Sequence, residues 1–216
     1  MFPISVKAPK PGFAVITLAL IFANLYFFFQ EISSPDPELF ISQLALIPGK
    51  VNFSTFQNLT PFISAQFLHA GLVHLVSNMW FLFLFGPTLE KALGIIPFLI
   101  FCLIAGTFGN FIQFLLISEA NIPILGASGA VAGVLGGFLV FYPKAQVNVL
   151  VPIFPLFFPI PFPAQLMLVY WFITQLFSGV ATVVSQPVAA GGVAWWAHVG
   201  GFGAGYLLAK LWPARH

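Results

Sequence analysis

Long apolar runs separated by short polar or proline-rich intervals fill the chain, and they predict six membrane-spanning helices. The runs cover about residues 12–30, 71–88, 96–117, 126–142, 163–184 and 193–211. Before the fifth run, Pro152, Pro155, Pro159, Pro161 and Pro163 interrupt an apolar stretch. Proline lacks an N–H and resists helix continuation, so this segment reads as a hydrophobic loop at the membrane boundary. The longest connection, about residues 31–69, carries Pro35, Pro37 and Pro48 and most of the acids. A connection of that length usually has a role of its own. The expected architecture is an all-α, polytopic membrane protein, a single domain over residues 1–216.

Composition strengthens this picture. Of 216 residues, 60% are hydrophobic and 6% charged, and mean hydropathy is +1.02. Soluble domains carry about a quarter charged residues, so this chain cannot cover a water-facing surface. The 28 phenylalanines suit a lipid-facing exterior. The single cysteine, Cys102, has no internal partner for a disulfide and reads as a small buried hydrophobe. A net charge of +2 is too small to suggest nucleic acid.

The placement of the charges says more than their sum. With six spans both termini share one side, and Lys7, Lys10, Lys91, Lys144, Lys210 and Arg215 fall there, against Lys50 on the other. Glu31, Asp36, Glu38 and Glu119 fall opposite. The positive-inside rule then puts both termini in the cytoplasm, in the plasma (inner) membrane. Glu90, Lys91 and Lys210 lie at cytoplasmic helix ends, where their heads are expected to reach the headgroups. The first apolar run ends in FFFQEISS, with no small-residue cleavage pattern, so it reads as a retained helix.

Polar side chains inside spans are costly and turn toward the protein interior. His74 and Asn78 come early in span two, Ser128 early in span four, and His198 about one turn into span six. At about 1.5 Å per residue, all lie roughly 5–12 Å below the outer boundary. His74 and Asn78, four apart, share one helix face. Ala194, His198, Gly201 and Gly205 form a small-residue stripe carrying one imidazole. Gly129, Gly133 and Gly137 form a matching stripe with Ser128 at its edge. Such stripes pack as close-approach helices, which carries Ser128 toward His198.

Taken alone, Ser128 reads as a packing serine bonded one turn back, and His69 as a structural residue at a loop–helix junction. Zinc is disfavoured: His69 and His74 diverge by about 140° on a helix, and no cysteine or carboxylate lies at ligand spacing. A transporter wants polar groups at the midplane, and no Walker-type phosphate loop is present. Nucleophilic catalysis remains. An imidazole can take the serine proton near neutral pH, and with no acid in spans four or six the expected unit is a Ser128–His198 dyad. Glu119 is the only outer-side acid near span four. The side chains of His74 and Asn78, with the Ser128 N–H, are candidate oxyanion donors. The GASGA context is not the GxSxG elbow of soluble hydrolases. No cofactor or metal is required.

The segments FLHAGLVHLVSNMWFLFLFGPTLEKALG (67–94), GASG (126–129) and AHVGGFGAG (197–205) resemble, in order and spacing, the rhomboid intramembrane serine proteases. The resemblance covers about residues 61–207. It implies Ser128 as nucleophile and His198 as base and then acid, with His74, Asn78 and the backbone from Gly126 to Ser128 around the oxyanion. It implies six helices around a water-filled cavity, a first loop lying partly in the membrane, and a mobile gate made by span five and about residues 181–192. Glu90 and Gly94 match structural positions of the family. Implied partners are single-pass transmembrane substrates within the lipid bilayer, cut near the outer leaflet. The rival expectation is a non-catalytic rhomboid-like protein that binds client helices. Two departures stand out. The first loop lacks the Trp-Arg pair of many members, and Ala132 occupies the position, one turn after the serine, where many place an aromatic against the histidine.

Overall fold

The computed structural model describes residues 2–9, 12–116, 121–153, 156–185 and 193–212. In chain order these form β1 (Phe2–Lys7), α1 (Val15–Ser33), α2 (Pro37–Leu44), α3 (Pro61–Ser64), α4 (Leu72–Leu93), α5 (Ile95–Leu116) and α6 (Ser128–Phe141). They continue with β2 (Gln146–Ile153), β3 (Leu156–Pro163), α7 (Ala164–Ser185) and α8 (Trp195–Leu211). A helix therefore lies in each of the six apolar runs. Among the described residues, α1, α4, α5 and Ala164–Val183 of α7 are long and apolar enough to cross a bilayer. With 14 and 17 residues, α6 and α8 are shorter.

The short helix α6 is apolar on every side and sits at the centre of the bundle, as such a helix must. Val131, Ala132, Val134, Leu135 and Phe138 are buried, packed with Phe85 and Leu89 of α4 and Phe98, Phe101 and Cys102 of α5. Phe85 meets Phe138 edge to face at 5.0 Å between ring centres. By contrast α1 and α7 expose much of their apolar surface, including Phe22, Phe29, Tyr170 and Phe177, as lipid-facing helices do.

Glu90 departs from its expected place among the headgroups. It is only 3% exposed, and its carboxylate caps the start of α1. Oε1 accepts from the Ile16 N–H, and Oε2 from the Thr17 N–H and hydroxyl, all at 2.8 Å. The first amides of a helix have no internal acceptor, and an anion there also meets the positive end of the helix dipole. Glu90 thus locks α1 onto α4.

The proline-rich segment also corrects the sequence reading: apart from residues 154 and 155, which lie outside the described residues, it forms the end of β2 and all of β3. An antiparallel sheet of order β1-β2-β3 adds to the helical bundle. Pro159, Pro161 and Pro163 of β3 lie opposite Leu150, Asn148 and Gln146. Backbone N–H groups of alternate residues point the same way, so prolines two apart all turn their donor-less nitrogens to the outer side. That is the arrangement an edge strand tolerates. The spacing of two was the signal that the loop reading missed.

The long first connection is also structured, through α2, α3 and two 3-10 turns, Pro48–Lys50 and Ala65–Phe67. Asp36 caps α2 by accepting from the Leu39 N–H at 2.9 Å. Although the Trp-Arg pair is absent, the connection is tied down by amide side chains. Asn110 of α5 donates to the Phe62 carbonyl at 3.0 Å, and Gln66 donates to the Thr107 hydroxyl at 3.1 Å. Glu119, Lys10, Arg215 and residues 186–192 of the expected gate lie outside the described residues.

Candidate active site

The first residue of α6 is Ser128, and the loop before it is held by the first connection. Leu46 and Ile124 exchange both backbone hydrogen bonds, at 3.0 and 2.8 Å, and the Gly126 N–H donates to the Ala65 carbonyl at 2.9 Å. Gly126 has φ +128°, a conformation that favours glycine. A Cβ there would stand 2.7 Å from His74 Cε1, 2.8 Å from His74 Nε2 and 3.7 Å from Ser128 Oγ. The absent side chain is what lets the imidazole and the hydroxyl share this corner. Because the Gly126 N–H is already committed, that amide is not a spare donor. The free backbone donors at this corner belong to the first turn of α6, which lacks internal acceptors.

The main chains of α6 and α8 run against each other. A methyl group on Gly201 would strike the Gly129 carbonyl, and one on Gly205 the Gly133 carbonyl. The Ala197 carbonyl lies 3.5 Å from the Cβ position of Gly129 and 2.5 Å from that of Gly109 in α5. Gln113 of α5 accepts from the Ala197 N–H at 3.1 Å. The first turn of α8, which carries His198, is thereby pinned on two sides next to the first turn of α6. Both Ser128 and His198 are half-buried.

Around the His198 ring, α7 supplies Gln175 and Trp171, and α8 itself supplies Trp195. Gln175 Oε1 lies 2.7 Å from His198 Nδ1. Trp171 stacks on the ring at 5.8 Å and 29°, and Trp195 meets it edge-on at 6.0 Å and 85°. The aromatic missing at Ala132 is thus provided from another helix. Sequence reasoning passed over Gln175, although an amide inside an apolar span was a signal of the same kind as Asn78.

Asn78 is 6% exposed, and among the described residues its Nδ2 has no hydrogen-bond partner. Leaving such a donor unpaired costs about 1–3 kcal/mol, a cost that a ligand oxygen would remove. His69 is fully buried. Its ring packs edge-on against His74 at 5.0 Å, and its backbone N–H donates to Glu31 Oε2 at 3.3 Å. Burial, and to a lesser degree the proximity of His74, push the His69 imidazole down to about 3, so it stays neutral. Among the described residues no group of three or more His, Cys, Asp or Glu side chains could hold a metal ion.

The model of the Rhomboid domain matches residues 57–214, well over half of the sequence. The chain belongs to the rhomboid family. It is 43% identical over 77 residues to RHOMBOID-like protein 6, mitochondrial, of Arabidopsis thaliana, covering 36% of this chain and 24% of that protein. RHOMBOID-like protein 1 of the same plant is 31% identical over 148 residues, 68% of this chain and 33% of the relative. A Bacillus subtilis (strain 168) protein, provisionally named a rhomboid protease, YdcA, is 36% identical over 91 residues, 42% of this chain and 43% of its own length. The matches therefore span less than half of each relative. As a rhomboid, the chain is an integral, multi-pass membrane protein, and residues 57–214 take in every candidate residue described above.

Proposed function

We propose that this rhomboid is an intramembrane serine endopeptidase in which Ser128 and His198 form the catalytic dyad. The observation that carries the reading is the glycine-mediated contact of α6 with α8, which sets the first turns of the two helices side by side. His198 Nε2 takes the Ser128 proton as Oγ attacks the scissile carbonyl. The resulting oxyanion is met by Asn78 Nδ2, by His74 and by the amides at the start of α6, where the helix dipole also favours negative charge. His198 then returns the proton to the leaving amine, and water repeats the sequence on the acyl-enzyme. The substrates are single-pass membrane proteins, cut beneath the outer leaflet with both termini of the enzyme in the cytoplasm. A spanning helix must unwind locally first, because its amides are bonded internally.

A fluorophosphonate probe tests this assignment. The wild type is expected to label covalently and Ser128→Ala to remain unlabelled. A wild type that does not label, yet still captures single-span helices, favours the non-catalytic client-binding reading instead.

A further inference from the structure

The hydrogen-bond chain on α7 determines which nitrogen of His198 carries a proton. Thr174 Oγ1 lies 2.6 Å from the Trp171 carbonyl, which can only accept, so the hydroxyl proton is committed there. Gln175 Nε2 lies 3.1 Å from the same hydroxyl oxygen and donates to it. That fixes the amide orientation and leaves Gln175 Oε1, also acceptor-only, facing His198 Nδ1 at 2.7 Å. The proton of the neutral ring therefore sits on Nδ1, and Nε2 keeps its lone pair. Gln175 is buried, and Trp171 covers one face of the imidazole, so ring rotation away from this bond is hindered.

We infer that Gln175 is the positioning residue of the catalytic base, holding His198 as the Nδ1-protonated tautomer that a serine hydrolase needs. The inference rests on the proteolytic reading above. It supplies, from α7, the orienting group that spans four and six lack, and it does so with a neutral amide. A carboxylate at that place would also favour the imidazolium, whereas the amide fixes geometry without adding charge. Among the described residues His74 is the other titratable group close enough to influence the ring, and it is common to every variant below.

The test uses the full chain with a single-span model substrate, comparing wild type, Gln175→Leu and Gln175→Glu, with fluorophosphonate labelling and thermal melting run in parallel. Gln175→Leu is expected to lower kcat about 10-fold or more, a part of what a general base contributes, with KM unchanged and only a small drop in melting temperature from the unpaired Nδ1–H. Gln175→Glu restores an acceptor, so it retains more kcat than Gln175→Leu. Its carboxylate holds His198 protonated to higher pH, which moves the acid limb of the rate profile upward. A Gln175→Leu enzyme with kcat within twofold of wild type overturns the inference. So does a Gln175→Glu profile that superimposes on wild type, and this second variant decides the matter should Gln175→Leu fail to fold. A wild type that neither labels nor cleaves overturns the protease reading and this inference together. Labelling with an unshifted Gln175→Glu profile overturns the role of Gln175 alone.

Discussion

The carbonyl of Gly129 in α6 faces the α-carbon of Gly201 in α8 so closely that a single methyl group does not fit between them. Small-residue contacts of this kind let two helices meet along their backbones, where dispersion and weak polar contacts replace the hydrophobic effect that lipid cannot supply.

Gly201→Ala is therefore expected to force the helices apart and destabilise the protein by about 1–3 kcal/mol, the usual range for overpacking. Gly203 is the internal control, because a Cβ there meets nothing within 4 Å. Gly203→Ala should melt at or slightly above the wild type, since alanine also favours the helix. Equal melting temperatures for the two variants would argue against the close contact.

Asn78 offers a buried amide donor with no partner among the described residues. Asn78→Ala should leave the thermal melt intact and lower kcat about 100-fold, the scale seen when one oxyanion donor is removed. Full turnover in Asn78→Ala would take this side chain out of the oxyanion site.

His69 makes stability depend on pH. Its imidazole is held near 3 in the folded chain, chiefly by burial, against about 6.5 when unfolded. Between these values the unfolded state binds a proton that the folded state refuses, so stability present above 6.5 is lost as pH falls toward 3. At pH 5 this amounts to about 2 kcal/mol. His69→Phe removes the titration, and its melting temperature should fall less than that of wild type between pH 7 and pH 5. Parallel decline of the two proteins would mean that other groups set the acid sensitivity.

The elements legible in the sequence were those whose signal is local. A helix face repeats every three or four residues, so Gly129 and Gly133, Gly201 and Gly205, and the His74–Asn78 pair could be read from spacing alone. Gly137, expected in the same stripe, faces Phe101 and Leu89 instead, and Gly136 takes its place against α8. The sheet was not legible because β2 pairs with the distant N-terminal strand β1, Val147 with Val6, and no local pattern announces such a partner. The prolines of β3 further disguised it. Glu90 was misplaced because an acid at a helix end reads as solvated until the start of α1 is seen to need an acceptor. Gln175 was missed because α7 also carries many lipid-exposed residues, and only its contact with His198 distinguishes this amide from a stray polar group.

Cleavage of a single-span model substrate in liposomes, by wild type beside Ser128→Ala and His198→Ala, decides whether the two residues work as a catalytic dyad. A Ser128–His198 dyad gives a defined cut by the wild type and a loss of about 1,000-fold or more in either variant, because dyad members act as a unit. Cleavage by Ser128→Ala or His198→Ala at the wild-type rate would contradict it.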